Sequence, residues 1–284
     1  MMLQQLVRRI EGLHQLDGAC HATAAWVARA TRPRAVKNAL SGNWLGHPLH
    51  PVLTDLPIGA WTMATLVDVT CGPVGATAAR RLVGAGLIAA LPTAAAGASD
   101  WSDSYGPEQR AGFVHAVCNA TATVLQACSW ATRRRGRHAT GMALSGAGLG
   151  LTLAAAYLGG HLSFVRGVGV NHAAFQESVG DWTDVAAVTD LGDGRPLRVT
   201  AGGVPVVIVR DNDSLSALSA TCTHAGGPLD EGTLDGEGCL RCPWHGSVFR
   251  LADGSVVRGP ASVAAPRWEV RADDGRLFVR SVPV

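Results

Sequence analysis

Two short boxes in the last third of the chain carry the side chains best suited to metal chemistry. One reads Cys222-x-His224 and the other Cys242-x-x-His245, so each offers one thiolate and one imidazole. Sulfur and imidazole nitrogen are ligands of soft and borderline metals. Two of each suit a tetrahedral zinc ion, and they also suit an iron–sulfur cluster in which two cysteines bind one iron and two histidines the other. The residue types alone leave both sites open.

Glycine follows both boxes. Gly226 and Gly227 stand after the first and Gly246 after the second, and glycine lets the backbone turn tightly enough for amide N–H groups to point at sulfur. A zinc finger usually places two cysteines in one box and two histidines in the other. The alternation of Cys and His, with Gly-Gly-Pro-Leu after one box and Gly-Ser after the other, closely resembles the Rieske family. The resemblance implies a [2Fe–2S] cluster, and the ligands it implies are Cys222, His224, Cys242 and His245.

The resemblance is to the ferredoxin type of Rieske domain. The high-potential respiratory type carries an extra cysteine in each box, and these two cysteines form a disulfide. Gly227 and Trp244 stand at those places here, so the resemblance implies a reduction potential of roughly −150 mV rather than +300 mV. Cys239 also forms a Cys-x-x-Cys spacing with Cys242, and we interpret Cys239 as a spare or buried thiol.

The composition points to membrane segments in the first part of the chain. Hydrophobic residues make up 47% of the 284 residues and charged residues 16%, which is well below the charged fraction usual for a soluble domain. Residues 1–170 carry a net charge of +7 and residues 171–284 one of −5. A basic, apolar half followed by an acidic half is typical of a membrane domain joined to a soluble carrier. Seven cysteines in a chain this long do not indicate a disulfide framework.

Four apolar segments, each near the length that spans a bilayer core, follow one another. They lie at residues 51–71, 82–99, 111–132 and 139–165. The predicted fold is an α-helical membrane bundle of four transmembrane helices followed by an all-β Rieske domain; a soluble helical bundle is the alternative. In the fourth segment Gly146-x-x-x-Gly150 predicts a close helix contact. The predicted parts are an amphipathic amino-terminal segment (1–45), the transmembrane domain (46–165), a linker (166–180) and the Rieske domain (181–284).

Residues 44–61 resemble the start of a second family. They contain Gly-His-Pro-Leu-His-Pro at 46–51, a box found in an uncharacterised family of bacterial four-helix membrane proteins. Some members of that family carry a Rieske domain at the carboxyl end, so the resemblance covers nearly the whole chain. No settled activity comes with it.

The amino-terminal segment begins with an amphipathic pattern. Leu3, Leu6, Val7, Ile10 and Leu13 recur at helical spacing with charged residues between them. This helix is too polar for the apolar core of a secretory signal. It either lies on the membrane surface or packs on another part of the protein.

Ionisable residues of the four segments gather toward one side. Four spans place their connections on alternate sides of a membrane, so the amino tail, the loop at 100–110 and the Rieske domain share a side. Ionisable groups inside a membrane are usually functional, and we expect a cofactor-binding layer there. Its members are His47, His50, Asp55, Asp100, His115 and His161.

The simplest cofactor for this layer is a b-type haem, because imidazole is a normal axial ligand of haem iron. His115 and His161 are the preferred pair, since they lie on different spans at a similar depth. A quinone bound by the same His and Asp groups is the second interpretation. A metal ion held by His with Asp55 or Asp100 is the third.

The third apolar segment also carries a polar stripe. His115, Asn119, Thr123, Gln126 and Ser129 recur at steps of four and three residues, which places them on one helix face. Within lipid such a stripe must face the interior of the bundle. For the four residues after His115 we expect hydrogen bonds between helices rather than a cofactor.

Beyond the linker the pattern becomes all-β. The predicted strands are 204–209, 217–220, 247–251, 268–271 and 277–282. Asp273-Asp274-Gly275 is a hairpin signal. Residues 258–261, Arg-Gly-Pro-Ala, resemble the proline loop that covers the cluster in Rieske domains.

The leading hypothesis is an electron-transfer protein of the bacterial membrane. Rieske oxygenases need a large domain with a mononuclear iron after the cluster, and only 39 residues follow His245, so that form is rejected. A membrane-anchored ferredoxin-like subunit, or a redox sensor on a structural or transport bundle, is the alternative. The expected partners are membrane lipid and a redox protein or quinone, with a homo-oligomer left open; nucleic acid is not expected.

The side of the membrane follows from the basic loops. The loops opposite the Rieske domain hold Arg80, Arg81 and the arginines of 133–137, and short basic loops stay cytoplasmic. This favours the outer face for the Rieske domain and the histidine layer of a multi-pass protein. Arg32, Arg34 and Lys37 precede the first span and favour the opposite orientation.

Overall fold

The computed structural model describes residues 2–211 and 214–282. The chain forms two compact units. The first combines Met1–Arg32 with Leu49–Val168, and the second combines Pro33–Pro48 with Gly169–Val284. The expected amino-terminal segment, 1–45, is therefore divided: its last part belongs with the β-rich unit.

Helices make up the described part of the first unit, and one further α-helix belongs to the second. The helices are α1 (Met2–Glu11), α2 (Asp17–Ala30), α3 (Arg34–Ser41), α4 (Leu49–Cys71), α5 (Ala76–Trp101), α6 (Gly106–Arg134) and α7 (His138–Phe164). Only α3 lies in the second unit. A helical region followed by a β-sheet domain is confirmed.

The four long helices contain the four apolar segments. α4 packs along α5 and α6 along α7, while α5 also touches α6 and α4 touches α7. α4 and α6 therefore face each other across the bundle. Two stretches of the described chain are long and apolar enough to cross a membrane, Leu49–Trp101 and His138–Phe164. α6 is not among them, so a count of four spans stays a prediction.

A proline helps to join α4 to α5. Pro57 lies inside α4 and has no N–H, so the carbonyl of Leu53, one turn earlier, lacks its usual helical partner. The Thr93 hydroxyl of α5 shares its proton between that carbonyl, at 3.1 Å, and the Ala89 carbonyl of its own helix, at 2.8 Å. The hydrogen bond that Pro57 removes from α4 is thus partly replaced by one between α4 and α5.

The polar stripe of α6 makes the predicted contacts between helices only in part, because Asn119 and Thr123 form their hydrogen bonds within α6. The amide of Gln126 donates to the Ser145 carbonyl at 3.1 Å and accepts from the Ser145 hydroxyl at 2.9 Å. Ser129 donates to the Gly141 carbonyl at 2.6 Å. Gln126 and Ser129 are fully buried, so hydrogen bonds between the helices replace those that their side chains would form with water.

The predicted helix contact at Gly146 and Gly150 is wrong. A Cβ built on either glycine meets nothing within 4 Å. The close approach lies at Gly148, where a Cβ would stand 3.0 Å from Gln126 Nε2. The face of α7 that packs on α6 carries Gly141 and Gly148 and is rotated away from the predicted pair.

The second unit contains two antiparallel sheets. The strands are β1 (Thr183–Ala187), β2 (Leu197–Ala201), β3 (Val204–Asp211), β4 (Ser214–Ser219), β5 (Thr233–Leu234), β6 (Cys239–Arg241), β7 (Val248–Arg250), β8 (Val256–Arg258), β9 (Arg267–Asp273) and β10 (Arg276–Ser281). One sheet has the order β1-β10-β9-β4-β3-β2 and the other β5-β6-β7-β8. All five predicted strands are confirmed. At the predicted hairpin, Asp274 and Gly275 have φ values of 44° and 73°, which suits the turn that joins twisted strands.

The buried strand β3 separates two hydrophobic cores. Val207 and Val209 face one core, which also contains Cys222 and Cys242. Val206 and Ile208 face the other. Successive side chains of a strand point to opposite faces, so one apolar run serves both cores and supports the loops that carry the metal-binding boxes.

Candidate metal centre

The first box closes on itself through two backbone hydrogen bonds. The N–H of Cys222 donates to the Gly227 carbonyl at 2.8 Å, and the N–H of Gly226 donates back to the Cys222 carbonyl at 2.9 Å. Gly226 has φ +76°, a left-handed conformation that glycine adopts without steric cost.

The second box repeats this plan. The N–H of Cys242 donates to the Ser247 carbonyl at 2.8 Å, and the N–H of Gly246 donates to the Cys242 carbonyl at 3.2 Å. Gly246 has φ +71°. In each box the glycine comes four residues after the cysteine, so two unrelated stretches of sequence form one loop type.

The two loops bring their side chains together. The rings of His224 and His245 are 4.9 Å apart between centroids. The thiols of Cys222 and Cys242 are hydrogen-bonded to each other. All four predicted cluster residues therefore meet at one place, with cysteine beside cysteine and histidine beside histidine.

Backbone amides point at both sulfurs. The Cys222 sulfur accepts from the N–H groups of His224 and Ala225, and the Cys242 sulfur from those of Trp244 and His245. Such bonds stabilise a thiolate and tune a metal held by it. The tight glycine turns predicted from the sequence therefore direct backbone N–H groups toward the sulfurs.

The two thiols have opposite pKa shifts. The hydrogen bond from Cys222 lowers the pKa of Cys242 to about 7. The same bond, together with burial, raises the pKa of Cys222. One proton shared between two buried sulfurs explains both directions. Two thiolates this close would repel each other unless a positive charge lay between them, and a metal supplies that charge.

The His224 imidazole is held in its neutral form. Burial lowers its pKa to about 3, and the nearby His245, Lys37 and His172 act in the same direction. Its Nδ1 is buried and has no hydrogen-bond partner among the described residues. A neutral imidazole with an unused nitrogen is the form that binds a metal. The four side chains therefore fit a [2Fe–2S] cluster.

The glycine at 227 leaves space beside the sulfur. A Cβ built there would stand 3.0 Å from Cys242 Sγ and 3.1 Å from the Trp244 ring. Gly227 and Trp244, which hold the places of the disulfide in the respiratory type, are thus neighbours. Their contact is between a glycine and an indole.

The loop after β8 braces both boxes. Arg258 donates to the Gly246 carbonyl at 3.1 Å, and the N–H of Ala261 donates to the Ser247 hydroxyl at 3.0 Å. The Thr223 hydroxyl donates to the Val263 carbonyl at 2.7 Å. The loop predicted from Arg-Gly-Pro-Ala therefore holds the two boxes in register.

Helix α3 is a neighbour of the site that sequence reasoning missed. Its Asn38 side chain donates to the Val257 carbonyl at 3.1 Å and accepts from the Gly259 N–H at 3.0 Å. Arg34 donates to the same Val257 carbonyl at 3.0 Å. Lys37, on the same helix face, is only 3% exposed. The one signal in the sequence was a short helix starting after Pro33.

The linker supplies another neighbour. The N–H of His172 donates to the Thr223 carbonyl at 3.1 Å, and a Cβ on Gly226 would lie 3.5 Å from His172 Nδ1. Cys239, by contrast, is a buried free thiol in β6, and burial raises its pKa. Its interpretation as a spare thiol is consistent with this place.

Family models match both parts of the chain. The Rieske [2Fe-2S] domain matches residues 181–271. Ferredoxin CarAc of Metapseudomonas resinovorans is 35% identical over 99 residues, which are 34% of this chain and 92% of that ferredoxin. The carboxyl-terminal part of this chain belongs to the Rieske [2Fe–2S] family. The model described as "Predicted membrane protein (DUF2231)" matches residues 46–172, so the chain combines a Rieske domain with a DUF2231 domain.

Other relatives of the Rieske domain differ in size and setting. The cytochrome b6-f complex iron-sulfur subunit of Chlorobaculum tepidum is 33% identical over 97 residues, 34% of this chain and 51% of that subunit. Apoptosis-inducing factor 3 of Homo sapiens is 34% identical over 97 residues, and the chain spans 16% of its length. Ferredoxin components and an iron–sulfur subunit among the relatives support an electron-transfer role.

Solved structures of similar proteins cover the same part. The ferredoxin of carbazole 1,9a-dioxygenase from Nocardioides aromaticivorans IC177 is 29% identical. The match covers 36% of this chain and 100% of that one, with a TM-score of 0.35.

The expected histidine layer is only partly brought together. The rings of His50 and His115 lie 6.4 Å apart. His161 instead lies 2.9 Å from a carboxylate oxygen of Glu11. Within the second unit His47 is exposed, with Nδ1 3.1 Å from the carbonyl oxygen of Pro48.

The two carboxylates of the layer differ in exposure. Asp55 is exposed on α4, and Asp100 is half-buried near the end of α5. Among the described residues of the helical unit, no group of three or more His, Cys, Asp or Glu side chains could hold a metal ion. The His-plus-Asp metal site, the third interpretation, gains no support from the fold.

Proposed function

We propose that this chain is a membrane-bound electron-transfer protein with a [2Fe–2S] cluster in its Rieske domain. Cys222 and Cys242 would hold one iron, and His224 and His245 the other. The observation that carries this proposal is the meeting of the two matched loops, cysteine beside cysteine and histidine beside histidine. When bound, the cluster would supply a one-electron couple.

The surrounding residues prepare the site for that couple. Amide N–H groups of both loops face the sulfurs and would stabilise the added negative charge of a reduced centre. His224 and His245 are half-buried, and Trp244 within the second box is 53% exposed. An exposed indole beside a histidine ligand is a suitable place for a redox partner protein to dock.

The exposed surface of the helical unit supports a membrane location. Only 33% of the residues in each candidate span are buried inside the protein, whereas the core helix of a soluble protein is mostly buried. Large apolar side chains lie uncovered on the long helices, and their exposed patches are what lipid would cover. Examples are Leu56, Val69, Ile88, Leu91 and Val124.

The helical unit would hold the next redox station, a haem or a quinone. Four spans would return the chain to the side it started from, which places the histidine layer on the same face as the Rieske domain. The basic residues Arg80, Arg81, Arg134, Arg135 and Arg137 favour the outer face for that side. The electron donor or acceptor would be a redox protein or quinone, and lipid surrounds the bundle, with a homo-oligomer as a further arrangement.

The test is the electron-resonance spectrum of the reduced, anaerobically purified full chain. A rhombic signal of the Rieske type is expected, and His224→Ala or His245→Ala should abolish it. Cys239→Ala, which removes the spare thiol, should leave it unchanged. Stoichiometric zinc without iron and sulfide would overturn the proposal.

A second candidate is a membrane-anchored ferredoxin-like subunit or redox sensor, whose helices are only structural. The observation that favours it is the 92% coverage of a ferredoxin component by the Rieske part alone. A Soret band in the purified chain separates the two, because a purely structural bundle has no chromophore of its own.

A further inference from the structure

Two helix pairs in the first unit repeat one arrangement. His50 of α4 donates from Nδ1 to the Thr93 carbonyl of α5 at 2.9 Å. His115 of α6 donates from Nδ1 to the Ala155 carbonyl of α7 at 2.8 Å. Each histidine thus reaches a backbone carbonyl on the following helix of its own antiparallel pair.

A glycine makes each reach possible. Gly97 comes four residues after Thr93, and Gly159 four residues after Ala155. A Cβ on Gly97 would stand 2.6 Å from His50 Cε1, and one on Gly159 would stand 3.2 Å from His115 Cε1. Both glycines leave room for an imidazole to lie against the helix backbone. The same arrangement of a histidine, an accepting carbonyl and a glycine therefore occurs twice.

The two imidazoles meet across the bundle. α4 and α6 face each other, and the centroids of His50 and His115 are 6.4 Å apart with ring planes at 82°. Two imidazoles bound end-on to one metal, at about 2 Å from nitrogen to metal, have ring centres roughly 6 Å apart. The spacing of the pair matches that of two ligands on opposite sides of one metal.

The hydrogen bonds also select the tautomer. A carbonyl oxygen only accepts, so Nδ1 carries the proton in both rings and Nε2 keeps a lone pair. At His115 this lone pair accepts from the Asn119 amide at 3.1 Å. A histidine that donates Nδ1–H to a carbonyl and offers Nε2 is the usual metal-ligating form.

The number of donors decides which metal centre fits. A bare zinc or copper ion takes three or four protein ligands, and no group of three or more His, Cys, Asp or Glu side chains exists among the described residues of the helical unit. Haem iron takes four nitrogens from the porphyrin and needs two more axial ligands. A quinone carbonyl needs a donor, and both N–H groups of this pair are already used.

From this geometry we infer that His50 and His115 are the axial ligands of a b-type haem in the helical unit. The inference rests on the proposed electron-transfer function and names its second station. His161, which the sequence had paired with His115, is bound to Glu11 instead and has a structural role. Iron at His115 Nε2 would replace the hydrogen bond that this nitrogen accepts from Asn119.

The test measures haem per chain in the purified full-length protein, by pyridine haemochromogen and Soret absorbance, with added hemin where the cells supply too little. About one haem per chain is expected. His50→Ala and His115→Ala should each reduce it more than tenfold, while His161→Gln and His47→Gln keep it. The Rieske electron-resonance signal, unchanged in each variant, shows that the second unit is folded, and an unchanged far-ultraviolet circular-dichroism spectrum shows that the helices of the first unit are retained.

A ligand exchange covers the case in which an alanine variant fails to fold. His115→Met should keep the haem and raise its potential, because a Met/His pair favours reduced iron relative to two histidines. A chain that binds no added hemin overturns the inference and leaves the cluster proposal intact. If His161→Gln loses haem while His50→Ala keeps it, the assignment of His50 and His115 as the ligands is wrong. The assignment is also wrong if the purified protein contains stoichiometric zinc or copper that His50→Ala loses. A missing Rieske signal in haem-loaded protein overturns the proposed function alone.

Discussion

His161 Nε2 lies 2.9 Å from the carboxylate of Glu11. The same carboxylate accepts two hydrogen bonds from the Arg166 guanidinium, at 2.8 Å and 2.5 Å, and its side chain is only 6% exposed. Glu11 ends α1, whereas the other two residues lie at and beyond the end of α7. One carboxylate therefore fastens the first helix to the bundle, and it settles where α1 packs: Val7 and Glu11 are buried, while Leu3 and Leu6 stay exposed.

This contact predicts a dependence of stability on acid. The hydrogen bond from Arg166 lowers the pKa of Glu11 from 4.5. The carboxylate therefore stabilises the fold fully above the unfolded pKa, and this contribution is lost as pH falls through the folded pKa. Glu11→Gln should lower the free energy of unfolding at pH 7 by about 2 kcal/mol and reduce the loss of stability below pH 4.5.

Thermal unfolding of detergent-solubilised protein at neutral and acid pH measures both effects. Glu108→Gln is the control, because its carboxylate lies 3.7 Å from Arg166 and is more exposed, at 29%. Equal Tm changes in the two variants, or an acid dependence that survives in Glu11→Gln, would contradict the role of this carboxylate.

A second ion pair lies buried between α4 and α6. Arg133 donates to Asp68 Oδ1 at 2.8 Å, and their side chains are 0% and 5% exposed. Arg133→Ala leaves a buried carboxylate without its partner and should cost about 3–5 kcal/mol. Arg134→Ala, which removes a neighbouring arginine stacked on Trp130, should cost far less. Similar Tm losses in both variants would count against the pair.

The same pair shows a limit of sequence reasoning. The run 133–137 reads as a basic loop, and its charge was counted toward membrane orientation. Arg133 is in fact neutralised inside the bundle, so the exposed basic residues are Arg134, Arg135 and Arg137. Sequence position along a helix was predictable, but the direction in which the side chain points around the helix axis was not.

The contact between α6 and α7 predicts a difference between two glycines. At Gly148 a Cβ would lie 3.0 Å from Gln126 Nε2, whereas at Gly146 it would meet nothing within 4 Å. Gly148→Leu should therefore separate the helices and lower Tm by several degrees, in line with an overpacking cost of about 1–3 kcal/mol. Gly146→Leu is the matched control and should be neutral. A larger loss in Gly146→Leu would restore the contact predicted from the sequence.

Gly227 predicts a loss of cluster without a loss of fold. A Cβ there would lie 3.0 Å from Cys242 Sγ, so Gly227→Ala should push the sulfur away from its position as an iron ligand. Iron and acid-labile sulfide per chain should fall well below those of the unmodified protein. Gly180→Ala, at a site with open space around the Cβ, should keep full cluster content. Unchanged iron in Gly227→Ala would show that the loop adjusts freely.

The cluster site was predictable because its information is local. Each box folds through hydrogen bonds within six residues, so residue types and spacing already define it. The histidine pair of the helical unit was not, since His50 and His115 meet through the rotation of two helices that are far apart in sequence. The one local signal was a glycine, Gly97 or Gly159, one turn after each accepting carbonyl.

The packing of helix α3 beside the cluster site could not be predicted from the sequence. Its pattern of Arg34, Lys37 and Asn38 reads as a solvated polar helix, yet this face is the one that packs. It does so because the edge strand β8 and the loop after it expose backbone groups, which polar side chains satisfy. A buried face made of polar residues gives no hydrophobic periodicity to detect.

Lys37 predicts a shift in the reduction potential of the cluster. It is 3% exposed on the packed face of α3, and its positive charge is one of the influences that lower the pKa of His224. The same positive charge that disfavours a proton on His224 would stabilise the extra electron of a reduced cluster. Lys37 is therefore expected to raise the reduction potential of the cluster. Lys37→Met should lower it, and Lys37→Arg should restore it.

Redox titration followed by electron resonance measures this shift in the full chain. Arg276→Gln is the control, because it removes a positive charge that is paired with Asp184 at the far edge of the other sheet. Its potential should equal that of the unmodified protein. A fall in Lys37→Met that Lys37→Arg does not reverse would mean that helix packing, rather than charge, sets the potential. No fall in Lys37→Met would mean that solvent screens the lysine despite its burial.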